Sequence, residues 1–188
     1  MISGVVLAAG TGSRFGGTKQ IVVVDGKPLA QHAVDALAEA GVDEIVVVTG
    51  HDAVRVAGAL TLPPNARIVY NPAFREGQAT SLAAALHALD DESEGAVVLM
   101  ADQPGVGPEV VRSLVQRFLA TRTQVVRAVY RDGPGPSLLS REIYGEAGHL
   151  SGDVGARELV ASHPDWVEEV SLDAPAPRDV DRPDDLPS

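Results

Sequence analysis

The chain has no cysteine among its 188 residues. That absence removes disulfides, thiolate nucleophiles, iron–sulfur clusters and thiolate zinc sites together, so any metal must be held by oxygen or imidazole, a condition that favours Mg2+. Aromatic residues make up only 4% of the sequence, which leaves few platforms for stacking the bases of a polymer. Positive charge is scarce as well: 15 Lys and Arg stand against 26 Asp and Glu, a formal net charge of −11. Affinity for nucleic-acid backbones is supplied mainly by Lys and Arg, so this balance argues against a nucleic-acid partner while leaving room for a local basic pocket. No apolar run is long enough to span a bilayer, and the N-terminus lacks the basic-then-apolar layout of a signal peptide. The expectation is a cytoplasmic protein without a membrane partner.

What the sequence does contain is a hydrophobic fraction of 45%, enough for one domain over residues 1–188 with a substantial core and an acidic, Pro-rich tail from about residue 173 to 188. Its most informative stretch is near the start. The apolar run Val5-Val6-Leu7-Ala8-Ala9 reads as a buried strand and stops at Gly10-Thr11-Gly12-Ser13-Arg14-Phe15-Gly16-Gly17-Thr18-Lys19. Glycines there let the backbone approach an anion closely, and Arg14 and Lys19 add the charge that a triphosphate demands. Two better-known phosphate loops do not fit. Thr18 precedes Lys19, which inverts the order of a P-loop, and Phe15 stands where a dinucleotide fingerprint needs its third glycine. The β-prone Ile21 to Val24 and the turn Asp25-Gly26-Lys27-Pro28 follow, rather than an immediate helix.

Downstream, helical and apolar β-branched segments alternate. An amphipathic helix over Pro28 to Ala40 is followed by a strand at Glu44 to Val48, a short helix at about Asp52 to Leu60 and a strand at Ala66 to Tyr70. An alanine-rich helix reaching about Leu89, a strand at Gly95 to Met100, a helix from Pro108 to about Ala120 and a strand at Gln124 to Tyr130 complete the run. Strands that are apolar on both faces and separated by helices predict an α/β fold, a doubly wound, mostly parallel sheet of Rossmann-like type with helices on both faces. Ligands of such sheets sit outside the carboxyl ends of the strands, near the reversal of strand order. The loop after Tyr70 carries Asn71, Gly77, Thr80 and Ser81, of which Thr80 or Ser81 can cap the next helix. The strand ending at Met100 delivers Ala101-Asp102-Gln103-Pro104. A carboxylate at the end of a central buried strand is poorly solvated unless it meets a cation or backbone donors, so Asp102 reads as a Mg2+ ligand or as a turn-former before Pro104. The acidic run Asp90 to Glu94 and the tail read as solvated loops.

The pattern Leu-Ala-Ala-Gly-x-Gly-x-Arg-Phe-Gly-x-x-Lys resembles the signature loop of the MobA/MocA-like molybdenum cofactor nucleotidyltransferases. Three further segments extend the resemblance almost end to end: Met100-Ala101-Asp102-Gln103-Pro104, Leu150-Ser151-Gly152-Asp153-Val154-Gly155-Ala156-Arg157, and Asp179-Val180-Asp181-Arg182-Pro183-Asp184-Asp185-Leu186. The resemblance implies a nucleotide-diphospho-sugar transferase-like fold. It also implies Mg2+-dependent transfer of a nucleoside monophosphate from an NTP, CTP being favoured by Leu-Ala-Ala-Gly, to the phosphate of a small acceptor, molybdenum cofactor, and transient contact with a molybdoenzyme. On this reading Arg14, Lys19 and Asp102 are catalytic. Leu7, Ala8, Ala9, Gly10, Gly12, Asn71, Gly77, Thr80 and Ser81 bind the nucleotide, and Asp153 is a second metal carboxylate or a helix cap. The sequence departs from the family at Arg131-Asp132-Gly133-Pro134-Gly135-Pro136-Ser137, a turn without the histidine of the cytidylyl group. Two other readings stay open: an NAD(P)H-dependent oxidoreductase of the nicotine blue oxidoreductase-like type, and a non-catalytic nucleotide-binding maturation factor.

Overall fold

The computed structural model describes residues 1–147, 149, 150, 152 and 161–186. Strand β1 (Ile2–Ala8) is buried along its whole length and lies in the middle of a sheet. A glycine-rich loop follows, then a 3-10 turn at Lys19–Ile21 and a two-residue hairpin, β2 (Val23–Val24) against β3 (Lys27–Pro28). The β-branched run at Ile21 to Val24 thus yields only a short hairpin arm, because its partner residues end where helix α1 (Leu29–Ala40) begins. The chain continues through β4 (Glu44–Thr49), α2 (Ala53–Ala59), β5 (Ala66–Tyr70), α3 (Gln78–Ala88), β6 (Gly95–Met100), α4 (Pro108–Thr121), β7 (Val125–Tyr130), β8 (Gly133–Ser140), α5 (Tyr144–Ala147) and β9 (Val167–Ser171).

Among the described residues the main sheet has the order β5-β4-β1-β6-β8-β7-β9. Pairs β5–β4, β4–β1, β1–β6 and β7–β9 are parallel, whereas β8 runs antiparallel to both β6 and β7. From β1 the chain winds outward through β4 to β5 and then returns to the other flank of β1 as β6. The reversal of strand order therefore falls between β1 and β6, where a doubly wound sheet opens its ligand crevice.

One expectation fails here. The stretch Gly133 to Ser137, read as a turn, is the first half of β8; the turn itself is only Arg131-Asp132. Pro134 and Pro136 disguise the strand, and the ladder tolerates them where its register shifts between Arg127 and Val129.

Two apolar layers cover the sheet. On one face Val6, Ala8 and Leu99 pack with Val34 and Leu37 of α1 and Leu114 and Phe118 of α4. On the other, Val5, Leu7, Ala9 and Val98 pack with Leu82 and Leu86 of α3 and Ala147 of α5. Each fully buried Val or Leu in these layers contributes about 1.5–3 kcal/mol, which fixes the strand ends firmly enough to carry the loops above them. A third, small cluster of Val24, Leu29 and Val180, with Phe15 and Leu186 against it, ties the glycine-rich loop to the C-terminal segment.

Candidate active site

The loops after β1 and β6 converge. Together with the loop after β5 they line a cleft of about 390 Å3, to which Gly10, Gly12, Lys19, Gly77 and Asp102 all contribute. The glycine-rich loop turns back on itself at Gly12, whose carbonyl accepts the N–H groups of Phe15 at 2.9 Å and Gly16 at 3.0 Å. Gly12 has φ +60, and a Cβ there would lie 2.1 Å from the carbonyl oxygen of Gly17, so no other residue fits. Gln20, almost wholly buried, donates its Nε2–H to the Gly10 carbonyl at 2.7 Å and pins the root of the loop. Among the described residues the N–H groups of Thr11, Gly12 and Ser13 take no protein acceptor, which leaves them available to an anion.

The centre of the cleft is an ion-paired triad. Lys19 Nζ donates to Asp102 Oδ2 at 2.7 Å and to Asp181 Oδ1 at 2.9 Å. Burial by itself would lower the Lys19 pKa, but the hydrogen bonds and charges of Asp102 and then Asp181 outweigh it, and the net shift is upward. The ammonium stays charged. An ammonium has three N–H donors, and with two given to carboxylates one remains for a ligand oxygen. Asp181 is held below the ordinary carboxylate range, chiefly by the Lys19 hydrogen bond and further by Arg14, whose Nη1 lies 3.3 Å from Asp181 Oδ2. Arg14 is mostly exposed and can swing toward a phosphate.

Strand alternation sorts the remaining expected residues. Leu7 and Ala9 face the α3 side and reach the cleft, whereas Ala8 points to the opposite layer under α1 and does not. Gly77 and Ser81 line the cleft; Asn71 and Thr80 do not. Asn71 is buried behind it, donating to Thr80 Oγ1 at 2.9 Å and Ser81 Oγ at 3.0 Å and accepting from the Ala73 N–H at 2.9 Å. Its part is to shape the loop. Neither Thr80 nor Ser81 caps α3, because the helix starts at Gln78 with Gly77 at its N-cap. Phe74 lines the cleft beside them, and it can sit there only because Gly50 has no side chain: a Cβ would be 2.5 Å from that of Phe74. Asp153 lies outside the described residues.

Asp181 is the residue the sequence reading passed over. It belongs to the tail read as solvated, yet Val180 is buried and its N–H donates to the Asp102 carbonyl at 2.9 Å. The signal was the alternation Asp179-Val180-Asp181, one apolar residue between two acids, which buries the middle side chain and turns its neighbours outward.

Asp102 and Asp181 each give one carboxylate oxygen to the Lys19 ammonium, so a divalent cation would have to use their other oxygens, Asp102 Oδ1 and Asp181 Oδ2, the latter 3.3 Å from Arg14; among the described residues no group of three or more His, Cys, Asp or Glu could hold a metal. Mg2+ prefers one or two carboxylates completed by water and substrate phosphate.

The chain is thus a doubly wound α/β protein with a glycine-rich loop, an ion-paired lysine and two carboxylates at its switch point. Residues 4–167 match the MobA-like NTP transferase domain, and the chain belongs to that family. It is 31% identical over 179 residues to nicotine blue oxidoreductase of Paenarthrobacter nicotinovorans, covering 90% of this chain and 85% of that protein. Its fold superposes on Rv0371c of Mycobacterium tuberculosis H37Rv with a TM-score of 0.86 and 32% identity, over 98% of this chain and 94% of the other. A manganese complex of Rv0371c superposes with a TM-score of 0.80 at 30% identity, over 95% and 91% of the two chains. A nucleotidyl transferase from Methanothermobacter, 22% identical, shares the fold with a TM-score of 0.77 over 98% and 94% of the chains.

Proposed function

We propose that the protein is a Mg2+-dependent nucleotidyltransferase that moves a nucleoside monophosphate from an NTP, CTP by preference, to the phosphate of a small acceptor, with molybdenum cofactor as the favoured acceptor. The observation that carries this reading is the convergence of the glycine loop, Lys19 and Asp102 on one cleft. An acceptor phosphate oxygen forms a bond to the α-phosphorus while the bond from that phosphorus to the bridging oxygen breaks, and both electrons leave with pyrophosphate. The acceptor is already ionised at neutral pH, so no general base is required. The obstacle is repulsion between two polyanions, and fixed positive charge lowers it.

In this chain the free N–H groups of Thr11 to Ser13 and the exposed Arg14 bind the outer phosphates. Lys19, held rigid by its two carboxylates, presents its third N–H to the oxygens on which charge builds. Asp102, with Asp181 beside it, would hold Mg2+, and the ion would supply further positive charge to the phosphates. Gly77 and Ser81 face the nucleoside, and the manganese complex of Rv0371c supports use of a divalent ion.

The similarity to nicotine blue oxidoreductase favours a second reading, hydride transfer from NAD(P)H. Its geometry is less well served. No helix begins at the glycine loop, since α1 starts at Leu29, and Asp52, the acid nearest the end of β4, is engaged by Thr18 Oγ1 at 2.6 Å and Arg55 at 2.8 Å. Titration with MgCTP and with NADPH, alongside pyrophosphate release from the four NTPs in the presence of molybdenum cofactor, tests the two. CTP-dependent pyrophosphate release supports transfer; tight NADPH binding without CTP binding supports the oxidoreductase.

A further inference from the structure

The segment 179–186 lies beyond the residues matched to the family domain, yet it supplies Asp181 to the cleft. We propose that this segment is a clasp in which Asp185 acts as a positioning residue, setting the Asp181 carboxylate on Lys19 and Arg14. Asp185 Oδ2 accepts the backbone N–H of Asp181 at 3.0 Å and of Arg182 at 2.7 Å, and the Asp185 N–H donates to the Arg182 carbonyl at 3.0 Å. The turn is closed from both directions. On the preceding side Val180 is sunk between Val24 and Leu29, its N–H donates to the Asp102 carbonyl at 2.9 Å, and Gln103 Nε2 reaches Asp179 Oδ1 at 2.8 Å.

Asp181 is thereby fixed at its own N–H and at both neighbours. A side chain that is itself substantially exposed, at 41%, is held by its backbone rather than by packing. Asp185 touches neither Lys19 nor Arg14 and serves the site only through Asp181. Phe15 and Leu186 pack on the same small cluster, so the clasp also grips the glycine loop from behind.

The inference rests on reading the cleft as a nucleotidyl-transfer site, and the test separates the two. Pyrophosphate release and, independently, calorimetric affinity for tripolyphosphate in the presence of Mg2+ are measured for the wild type, Asp185→Ala, Asp185→Asn, Asp181→Ala and the double alanine variant. Asp185→Ala is expected to lower both readouts about three- to thirtyfold, the range set by losing a capping side chain. Asp185→Asn, whose carbonyl still accepts but whose charge is gone, is expected to stay within about twofold of wild type. In the Asp181→Ala background, removing Asp185 is expected to change nothing further, because a residue that acts through another is silent without it. Equal losses from Asp185→Ala with and without Asp181, or damage from Asp185→Asn as large as from Asp185→Ala, would overturn the proposal. If Asp185→Ala does not fold, Asp185→Ser, whose shorter side chain draws its acceptor back from the two N–H groups, is measured with the same expectation. A wild type that binds tripolyphosphate but releases no pyrophosphate refutes the enzymatic reading and leaves the clasp testable by affinity; one that binds no tripolyphosphate overturns both.

Discussion

On the proposed nucleotidyl-transfer reading, replacing Lys19 by methionine removes one charged donor from the reacting phosphates, and it also removes the spacer between Asp102 and Asp181. Loss of a single preorganised donor of this kind costs about 10²–10³ in turnover, or about 2.7–4 kcal/mol of transition-state stabilisation. Lys19→Met is expected at the upper end, because with two N–H groups committed at 2.7 and 2.9 Å the third is the fixed contact, and Arg14, the other cation on the triad among the described residues, is mostly exposed. The fold should survive. Gln20 still pins Gly10, and Phe15 still packs on the small cluster. The two carboxylates are left facing each other, but both retain access to solvent, so the cost to stability is discounted to about 1–2 kcal/mol, or about 2–8 °C in melting temperature. With its principal hydrogen-bond donor gone, Asp181 titrates closer to the ordinary carboxylate range. The wild-type ion pair therefore persists to lower pH than the variant's Asp181 remains ionised. Pyrophosphate release at saturating MgCTP, with circular dichroism and thermal melts on the same samples, reads all of this. Wild-type turnover from Lys19→Met, or loss of the folded state, would contradict this role of Lys19.

Gly12→Ala places a Cβ 2.1 Å from the Gly17 carbonyl at φ +60, so nucleotide affinity measured by calorimetry should fall at least tenfold while the melting temperature shifts by only a few degrees. Gly50→Val drives Phe74 out of its seat and should weaken nucleotide binding together with stability by about 1–3 kcal/mol, followed by denaturant unfolding. Chelation with EDTA should abolish pyrophosphate release, and added Mg2+ or Mn2+ should restore it. Burial pushes the Tyr144 pKa up to about 12, against which its bond with Ser93 and the Arg141 charge act only weakly. A folded pKa above the unfolded value of about 10 means the unfolded chain releases its proton first, so stability falls between about pH 10 and 12, by about 2–3 kcal/mol. Tyr144→Phe should flatten that alkaline loss in urea unfolding, and an unchanged pH slope would contradict it.

Much of the fold was legible because the strands of a doubly wound sheet are apolar on both faces. Val5 to Ala9, Glu44 to Val48 and Gly95 to Met100 declare themselves by composition alone, and the abrupt stops at Gly10 and Asp102 mark the crevice. What escaped was structure set by tertiary partners. β8 hides behind Pro134 and Pro136, since its pairing with β6 and β7 is not a local property. Asn71 and Thr80 sit in the right loop, but a hydrogen-bonding residue reads the same whether it faces a ligand or braces the backbone. Asp181 was hidden because its contacts lie 79 and 162 residues away in sequence, at Asp102 through Val180 and at Lys19 directly, and a proline- and aspartate-rich tail reads as solvent-exposed until something is found to hold it.

On the proposed function a metal-bound triphosphate lies between the glycine loop and the Lys19 triad. A crystal structure of the protein with Mg2+ and a non-hydrolysable CTP analogue tests it most directly. The triphosphate is expected against the backbone of Thr11 to Ser13, with one of its oxygens on Lys19 Nζ and the ion at Asp102. An analogue bound elsewhere, or a cleft occupied with Lys19 and Asp102 both untouched, would contradict it.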